Sequence, residues 1–328
     1  MYTILIFVDN QAGPARKLWE VRSLRLLALA LVLIAAPALA APTKIKIACT
    51  ATSDCASAMI ATYDGIFAKH GLDAEMTLIG INTNIPPAIV SGSIDIGGPT
   101  STVFLQAVDG GLDLVALAGA SVMDPSTADL IAVVQKKGLT MSKPADFVGM
   151  KVGVPGIGAF LDVLFRQWLI QGGVDPAKVN YVEVTFPTQN DALKSGAVDA
   201  VVTAQPFVAR IEGAGNGSVA AHYAAELNRR DPIIEYVASR DWAQKNPEAV
   251  KAFREAIAEA AKVVNDDHAK EAEAQARFTK MSVDLIKKFP PSVSKAELSG
   301  QDFSWWLGVM KQQGMLQGEV DKAKLVLP

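Results

Sequence analysis

Short apolar runs alternate with stretches whose apolar residues recur every three or four positions. Lys44–Cys49 is a strand-like run. Ser57–His70 carries Ile60, Tyr63 and Phe67 at helical spacing and stops at Gly71, which predicts one helix. Ala74–Ile79 predicts a second strand. Ile85–Ser91 predicts a short helix, opened by Pro86 and Pro87 and closed by Gly92. Strands at Ile94–Ile96 and Leu114–Ala120 flank a helix at Thr100–Asp109. This β-α-β-α order predicts an α/β lobe with a largely parallel sheet.

The pattern then restarts. Leu130–Val134, Lys151–Val154, Val179–Val184 and Asp199–Thr203 read as strands. Helices are expected at Gly158–Gln171, at Gln189–Ser195 and from Pro206 to Ile211. These elements fill a second α/β lobe of about one hundred residues, a common domain size. Ile233–Ala238 is again strand-like, and Asn246-Pro247-Glu248 has the chemistry of a helix start. Val250, Phe253, Ile257, Ala260 and Val264 mark one apolar face of that helix. The charged run from Asp266 to Lys280 is expected to be a solvated helix surface, and a last helix spans about Gln301–Gln313.

The expected fold class is therefore α/β with two lobes. Lobe one takes 41–128 and 235–328, and lobe two takes 129–234. The chain crosses near Ser126–Asp129 and returns near Pro232–Tyr236, and two thin crossings permit hinge closure around a ligand.

The first forty residues change the picture. Arg22 and Arg25 precede an apolar run from Leu26 to Ala36, and Ala38-Leu39-Ala40 is a small-x-small cleavage site. That is the layout of a secretory signal, and the run is short for a membrane span of about 20 residues. Cleavage after Ala40 is expected, with no cysteine next to the cut to take a lipid anchor. This favours a periplasmic protein. The net charge of −3 gives no basic field for nucleic acid. Cys49 and Cys55 either pair in an oxidising compartment or are two buried apolar thiols. We expect the second, because sequence does not report their separation.

In open α/β sheets, ligands lie beyond the carboxyl ends of the strands. The residues there are small and polar: Thr50, Ser53 and Asp54, then Asn82, then Gly98, Thr100 and Ser101. Lobe two supplies Gly156, Gly158, Ala159, Thr188, Gln205 and Phe207 at its matching turns. Several of these turns open helices, where free N–H groups suit an anionic group. Catalytic patterns are thin. His70, His222 and His268 have no metal-ligand spacing, and there is no Gly-x-Ser-x-Gly elbow. Neither a metal nor a cofactor is expected. Trp305-Trp306 point to different sides of a helix, so core packing is expected of them, as of Trp168.

Several stretches together carry a family pattern. Lobe two has FVGMKVGVPG from Phe147 to Gly156, then Gly172-Gly173-Val174-Asp175-Pro176, DALKSGAVDA from Asp191 to Ala200, and Gln205-Pro206-Phe207. Lobe one has DGIFAKHGLD from Asp64 to Asp73 and IVSGSIDIGG from Ile89 to Gly98. A Ser-Gly-x-x-Asp repeat occurs at Ser91–Asp95 and at Ser195–Asp199. This set resembles the ABC-transporter substrate-binding proteins of the sulfonate, taurine and nitrate type, in a superfamily shared with thiamine-pyrimidine-precursor proteins. The resemblance implies a two-lobed type II periplasmic-binding fold, with C-terminal helices packed on lobe one. It also implies a monomer that binds a small-molecule solute, with an ABC permease and an ATPase as partners and no enzyme activity. Many members carry an acid before the Pro-Phe, where it can pair with a ligand amine. This chain has Gln205 there, which favours a small organic anion; Arg210, one turn on, is expected to be a surface or structural residue. Two alternatives share the fold: an enzyme of pyrimidine-precursor biosynthesis, and a ligand-presenting partner of a membrane sensor.

Overall fold

The structure is a computed structural model, and it describes residues 41–328; the expected signal and its cut after Ala40 lie outside the described residues. The elements run β1 (Thr43–Cys49), α1 (Ala56–Tyr63), α2 (Ile66–Lys69), β2 (Leu72–Leu78), α3 (Ile85–Val90), β3 (Ile96–Gly97), α4 (Ser101–Asp109) and β4 (Leu114–Val122). Next come β5 (Ile131–Lys136), β6 (Lys151–Val154), α5 (Phe160–Gln171), β7 (Asn180–Glu183), α6 (Gln189–Ser195), β8 (Ala200–Ala204), α7 (Phe207–Gly213), β9 (Gly217–Ala221) and α8 (Tyr223–Leu227). The chain closes with β10 (Pro232–Ser239), α9 (Arg240–Lys245), α10 (Pro247–Asp266), α11 (His268–Thr279), α12 (Val283–Ile286), β11 (Val293–Ser294) and α13 (Ser304–Gln312).

The strands form two sheets, ordered β11-β4-β10-β3-β1-β2 and β7-β6-β8-β5-β9. The chain passes from the first sheet to the second between Val122 and Ile131 and returns between Ala221 and Pro232. The expectation of largely parallel sheets needs correction. β1 is parallel to β2 and β3, and β6 to β7 and β8. However, the first strand after each crossing, β5 and β10, sits inside its sheet antiparallel to both neighbours. β5 thus runs against every other strand of its sheet, and β10 against β1 to β4, with β11 running its way.

Burial follows the sequence pattern. β4 reads LVALAGASV and is buried along eight of its nine residues, as suits a strand covered on both faces. The expected face of α10 is buried throughout, from Val250 to Val264. The expected single helix at Ser57–His70 breaks into α1 and α2, because Gly65 adopts a positive φ of 75° between them. The charged run from Asp266 is indeed helical, but it is not simply a solvated surface. In α11, Glu271, Gln275, Ala272 and Phe278 are buried.

The Ser-Gly-x-x-Asp repeat has a structural cause, the same in both lobes. Gly92 and Gly196 take positive φ at the ends of α3 and α6, which ends each helix. Three residues on, the aspartate reaches a parallel neighbour strand of its own sheet, β1 in one case and β6 in the other. Asp95 Oδ2 accepts from the Lys46 amide at 2.8 Å, and Asp199 Oδ2 from the Lys151 amide at 3.0 Å. The amides of Asp95 and Asp199 in turn donate to the same two lysines' carbonyls. The motif fixes where β3 and β8 enter their sheets, and so where their far ends deliver residues to the cleft.

Trp306 is fully buried, with its indole N–H donating to the Pro232 carbonyl at 2.8 Å. Its ring meets Phe160 of lobe two edge-on at 5.5 Å. The helix α13 therefore touches both lobes, while α10 and α11 cover lobe one. Trp168 is also core.

Candidate functional site

The strand ends of the two sheets face each other across a cleft of about 850 Å³, counted to its open mouth. Lobe one contributes Thr50, Thr52, Ser53 and Asp54 after β1, Asn82 after β2 and Thr100 before α4. Lobe two contributes Pro155, Ala159, Phe160 and Leu161 around the start of α5, Phe186 after β7, and Ala204 and Gln205 at the end of β8. The two crossings complete the wall with Leu130, Ile131, Ile233 and Ile234, and Ser292 and Val293 close it at β11.

Seven of the thirteen residues expected from sequence line this cleft: Thr50, Ser53, Asp54, Asn82, Thr100, Ala159 and Gln205. The other six lie outside its lining. Gly98 packs on sulfur: a Cβ there would sit 2.6 Å from Cys55 Sγ and 3.0 Å from Cys49 Sγ. Ser101 is fully buried, with its hydroxyl oxygen 2.7 Å from Glu235 Oε2 and 3.0 Å from the Pro232 carbonyl, and its single proton serves one of the two. Gly156 lies in the turn before α5, with Thr83 and Ile81 of lobe one close by. Gly158 gives its carbonyl to Gln106 Nε2 of lobe one at 3.0 Å and its amide to Asp162 at 2.8 Å. Thr188 is exposed and bonds Thr185. Phe207 stacks behind Phe186 at 5.2 Å, so it backs the wall rather than forming it.

The thiol expectation is overturned: Cys49 and Cys55 form a disulfide between β1 and the start of α1. It sits directly under the Thr50–Asp54 turn and, with Gly98, braces that side of the cleft.

The polar groups of the cleft are largely pre-set. Asn82 accepts from the Thr100 amide at 2.8 Å, and the Thr100 hydroxyl accepts from the Phe160 amide at 3.3 Å, a bond between lobes. Gln205 Oε1 accepts from the Ala209 amide at 3.1 Å, which leaves its two amide hydrogens for the cleft. Asp54 Oδ2 accepts from the Thr52 hydroxyl at 2.7 Å, and Oδ1 from Ser121 at 3.0 Å. Burial pushes the Asp54 carboxyl above its usual range, and these two hydroxyls pull it back only in part. Among the described lining residues Asp54 is the one ionisable side chain; there is no Lys, Arg or His. Arg210 is exposed and lies outside the lining.

What sequence missed here is the apolar half of the lining: Ile131, Phe160, Leu161, Phe186 and Ile234. A signal for Phe186 and Phe160 was present, since each stands one or two residues from a turn residue already singled out.

Residues 39–278 match the NMT1-like family. The chain belongs to that family. Among curated proteins it is similar to the taurine-binding periplasmic protein of Escherichia coli, 27% identical over 208 residues, covering 62% of this chain and 61% of that protein. It is similar also to the nitrate/nitrite binding protein NrtA of Nostoc, 26% identical over 66% of this chain and 53% of that one. The chain thus spans less than two thirds of the length of these relatives. Among solved structures, the alkanesulfonate-binding protein SsuA of Xanthomonas axonopodis bound to MOPS superposes with a TM-score of 0.73 at 18% identity, over 88% of this chain and 99% of that one. The nitrate-binding NrtA of Synechocystis gives 0.71 at 17% identity, over 86% and 84%. At such identities the likeness shows the fold. This NMT1-like chain has the two-lobed periplasmic-binding architecture, and its named relatives are binding proteins. Among the described residues, no helix is long and apolar enough to cross a membrane.

Proposed function

We propose that this chain is the solute-binding component of an ABC importer, exported to the periplasm after cleavage at Ala40 and acting as a monomer. It takes a small organic anion of the sulfonate or aromatic carboxylate type and hands it unaltered to a permease–ATPase pair. The observation that carries this reading is the cleft itself. Residues from the strand ends of both sheets converge on one cavity at the crossings, so ligand contacts and hinge closure are coupled by construction.

The apolar wall of Phe160, Leu161, Phe186, Ile131 and Ile234 suits a hydrocarbon or aromatic body. The Gln205 amide and the hydroxyls of Thr50 and Ser53 offer donors to an acidic head group. We assign lobe one to 41–128 and 235–328 and lobe two to 129–234, with Gly156, Gly158, Thr188 and Phe207 supporting the cleft from behind or at its rim.

Calorimetry with alkanesulfonates and aromatic carboxylates, followed by mass spectrometry of the recovered solute, tests the proposal. We expect saturable one-to-one binding, an unchanged solute, and stimulation of the cognate ATPase by the loaded protein. Chemical conversion of the bound molecule would replace importer with enzyme.

A further inference from the structure

The cleft has an acid and no base. Asp54 lines it, and no Lys, Arg or His does among the described residues. His268, which lines the smaller hollow adjoining Ser53 and Gln205, is bonded to Glu271 at 3.0 Å. Each Asp54 oxygen accepts one hydroxyl, from Thr52 on its own turn and from Ser121 on β4. A carboxylate oxygen has room for a second donor. The group is thus fixed in orientation, with acceptor capacity left over at the cleft wall. A buried carboxylate is costly without a partner of opposite charge. Here the protein supplies none, and a plain anion in the cleft would add a second negative charge beside the first.

We infer that the solute also carries a hydrogen-bond-donating nitrogen, an ammonium or amidinium, that seats on Asp54, so that the ligand is a zwitterion with an apolar body rather than a simple anion. This rests on the solute-binding reading above and narrows its substrate class. The anionic end faces the Gln205 amide and the hydroxyls of the Thr50–Ser53 turn. The acid that the family pattern places before the Pro-Phe is absent at Gln205, and Asp54 presents its carboxylate from the opposite lobe.

The test is calorimetry with matched probes on the full mature chain: benzoate against 4-(aminomethyl)benzoate, and 3-phenylpropanoate against phenylalanine, with benzylamine as the amine alone. We expect the amino member of a pair to bind at least tenfold tighter than its parent. Asp54→Asn should erase that preference by weakening the amino member, and should leave the parent anion bound at least as tightly as before, with the unliganded melting temperature serving as the folding control. The wild-type comparison stands alone if the variant misfolds. Parents that bind as tightly as their amino partners, or a preference that survives Asp54→Asn, overturn the inference and leave the anion reading intact. Binding of benzylamine without any anion removes the anion half of the reading and keeps Asp54 as the nitrogen seat. Silence from every probe overturns both.

Discussion

Glu235 is the most consequential single residue outside the cleft lining. It lies on β10, fully buried, with Oε2 held by Ser101 and Oε1 without a partner among the described residues. Burial holds its carboxyl well above the usual value of 4.5, against a smaller opposing pull from the Ser101 hydroxyl. The folded protein therefore keeps a proton that the unfolded chain releases above that value. Stability falls as pH rises from there towards the raised pKa, by up to about 1.4 kcal/mol per pH unit. Glu235→Gln should flatten that slope and raise the melting temperature near pH 8, measured by calorimetry from pH 5 to 9; parallel profiles would contradict it. The same bond recasts Ser101, expected from sequence to touch ligand. Replacing it by alanine strands Glu235, so a loss of about 1–3 kcal/mol of stability is expected rather than a clean loss of affinity. Gly98 is similar. Alanine there would drive a methyl into the disulfide, and overpacking of this kind costs about 1–3 kcal/mol in thermal or urea unfolding. Removing the disulfide itself, with Cys49→Ala and Cys55→Ala, should cost about 2 kcal/mol by loop entropy. A unfolding midpoint that does not move under reductant would refute that.

At the scale of elements, the alternation of short apolar runs with helical periodicity was enough to place most strands and helices within a residue or two. It worked because β4 and β8, and β6 beyond Lys151, are buried on both faces and α10 has one clean apolar face. It failed where tertiary context decides. β9, at the edge of its sheet, reads GSVAA, too weak an apolar run to see, and β11 is two residues long. The burial of Glu271 in α11 was hidden because a charged residue paired with His268 looks like any other in a charged run. In the cleft, the polar turn residues were legible because topology puts strand ends there. Most of its apolar wall was not, because Ile131, Leu161 and Ile234 are indistinguishable in sequence from core. Asp95 and Asp199 show what a recurring motif means at this scale. Each anchors its own sheet, so Asp199→Ala should destabilise by about 1.5–3 kcal/mol, the worth of a lost hydrogen bond to a charged acceptor, and leave ligand affinity nearly unchanged in calorimetry.

For the whole molecule, the question is what links the ligand to closure. The lobes are joined by two crossings, by α13, whose Trp306 meets Phe160, and by a few polar bonds, among them Gln106 Nε2 to the Gly158 carbonyl and the Phe160 amide to the Thr100 hydroxyl. The Gln106 bond is made across the lobes by a side chain outside the cleft lining. Such a bond favours the closed arrangement and says nothing to the solute directly. A ligand that contacts both lobes binds the closed form, so its apparent affinity scales with how readily that form is reached. One net hydrogen bond is worth about 1 kcal/mol. Gln106→Ala should then weaken solute binding about fivefold, through faster release, while the preference among solutes stays as in the parent protein. Small-angle scattering should show a larger radius of gyration for the unliganded variant and convergence with the parent at saturation. If instead the variant changes which solutes are preferred, Gln106 acts on the site and not on the hinge, and recognition is not separate from closure in this protein.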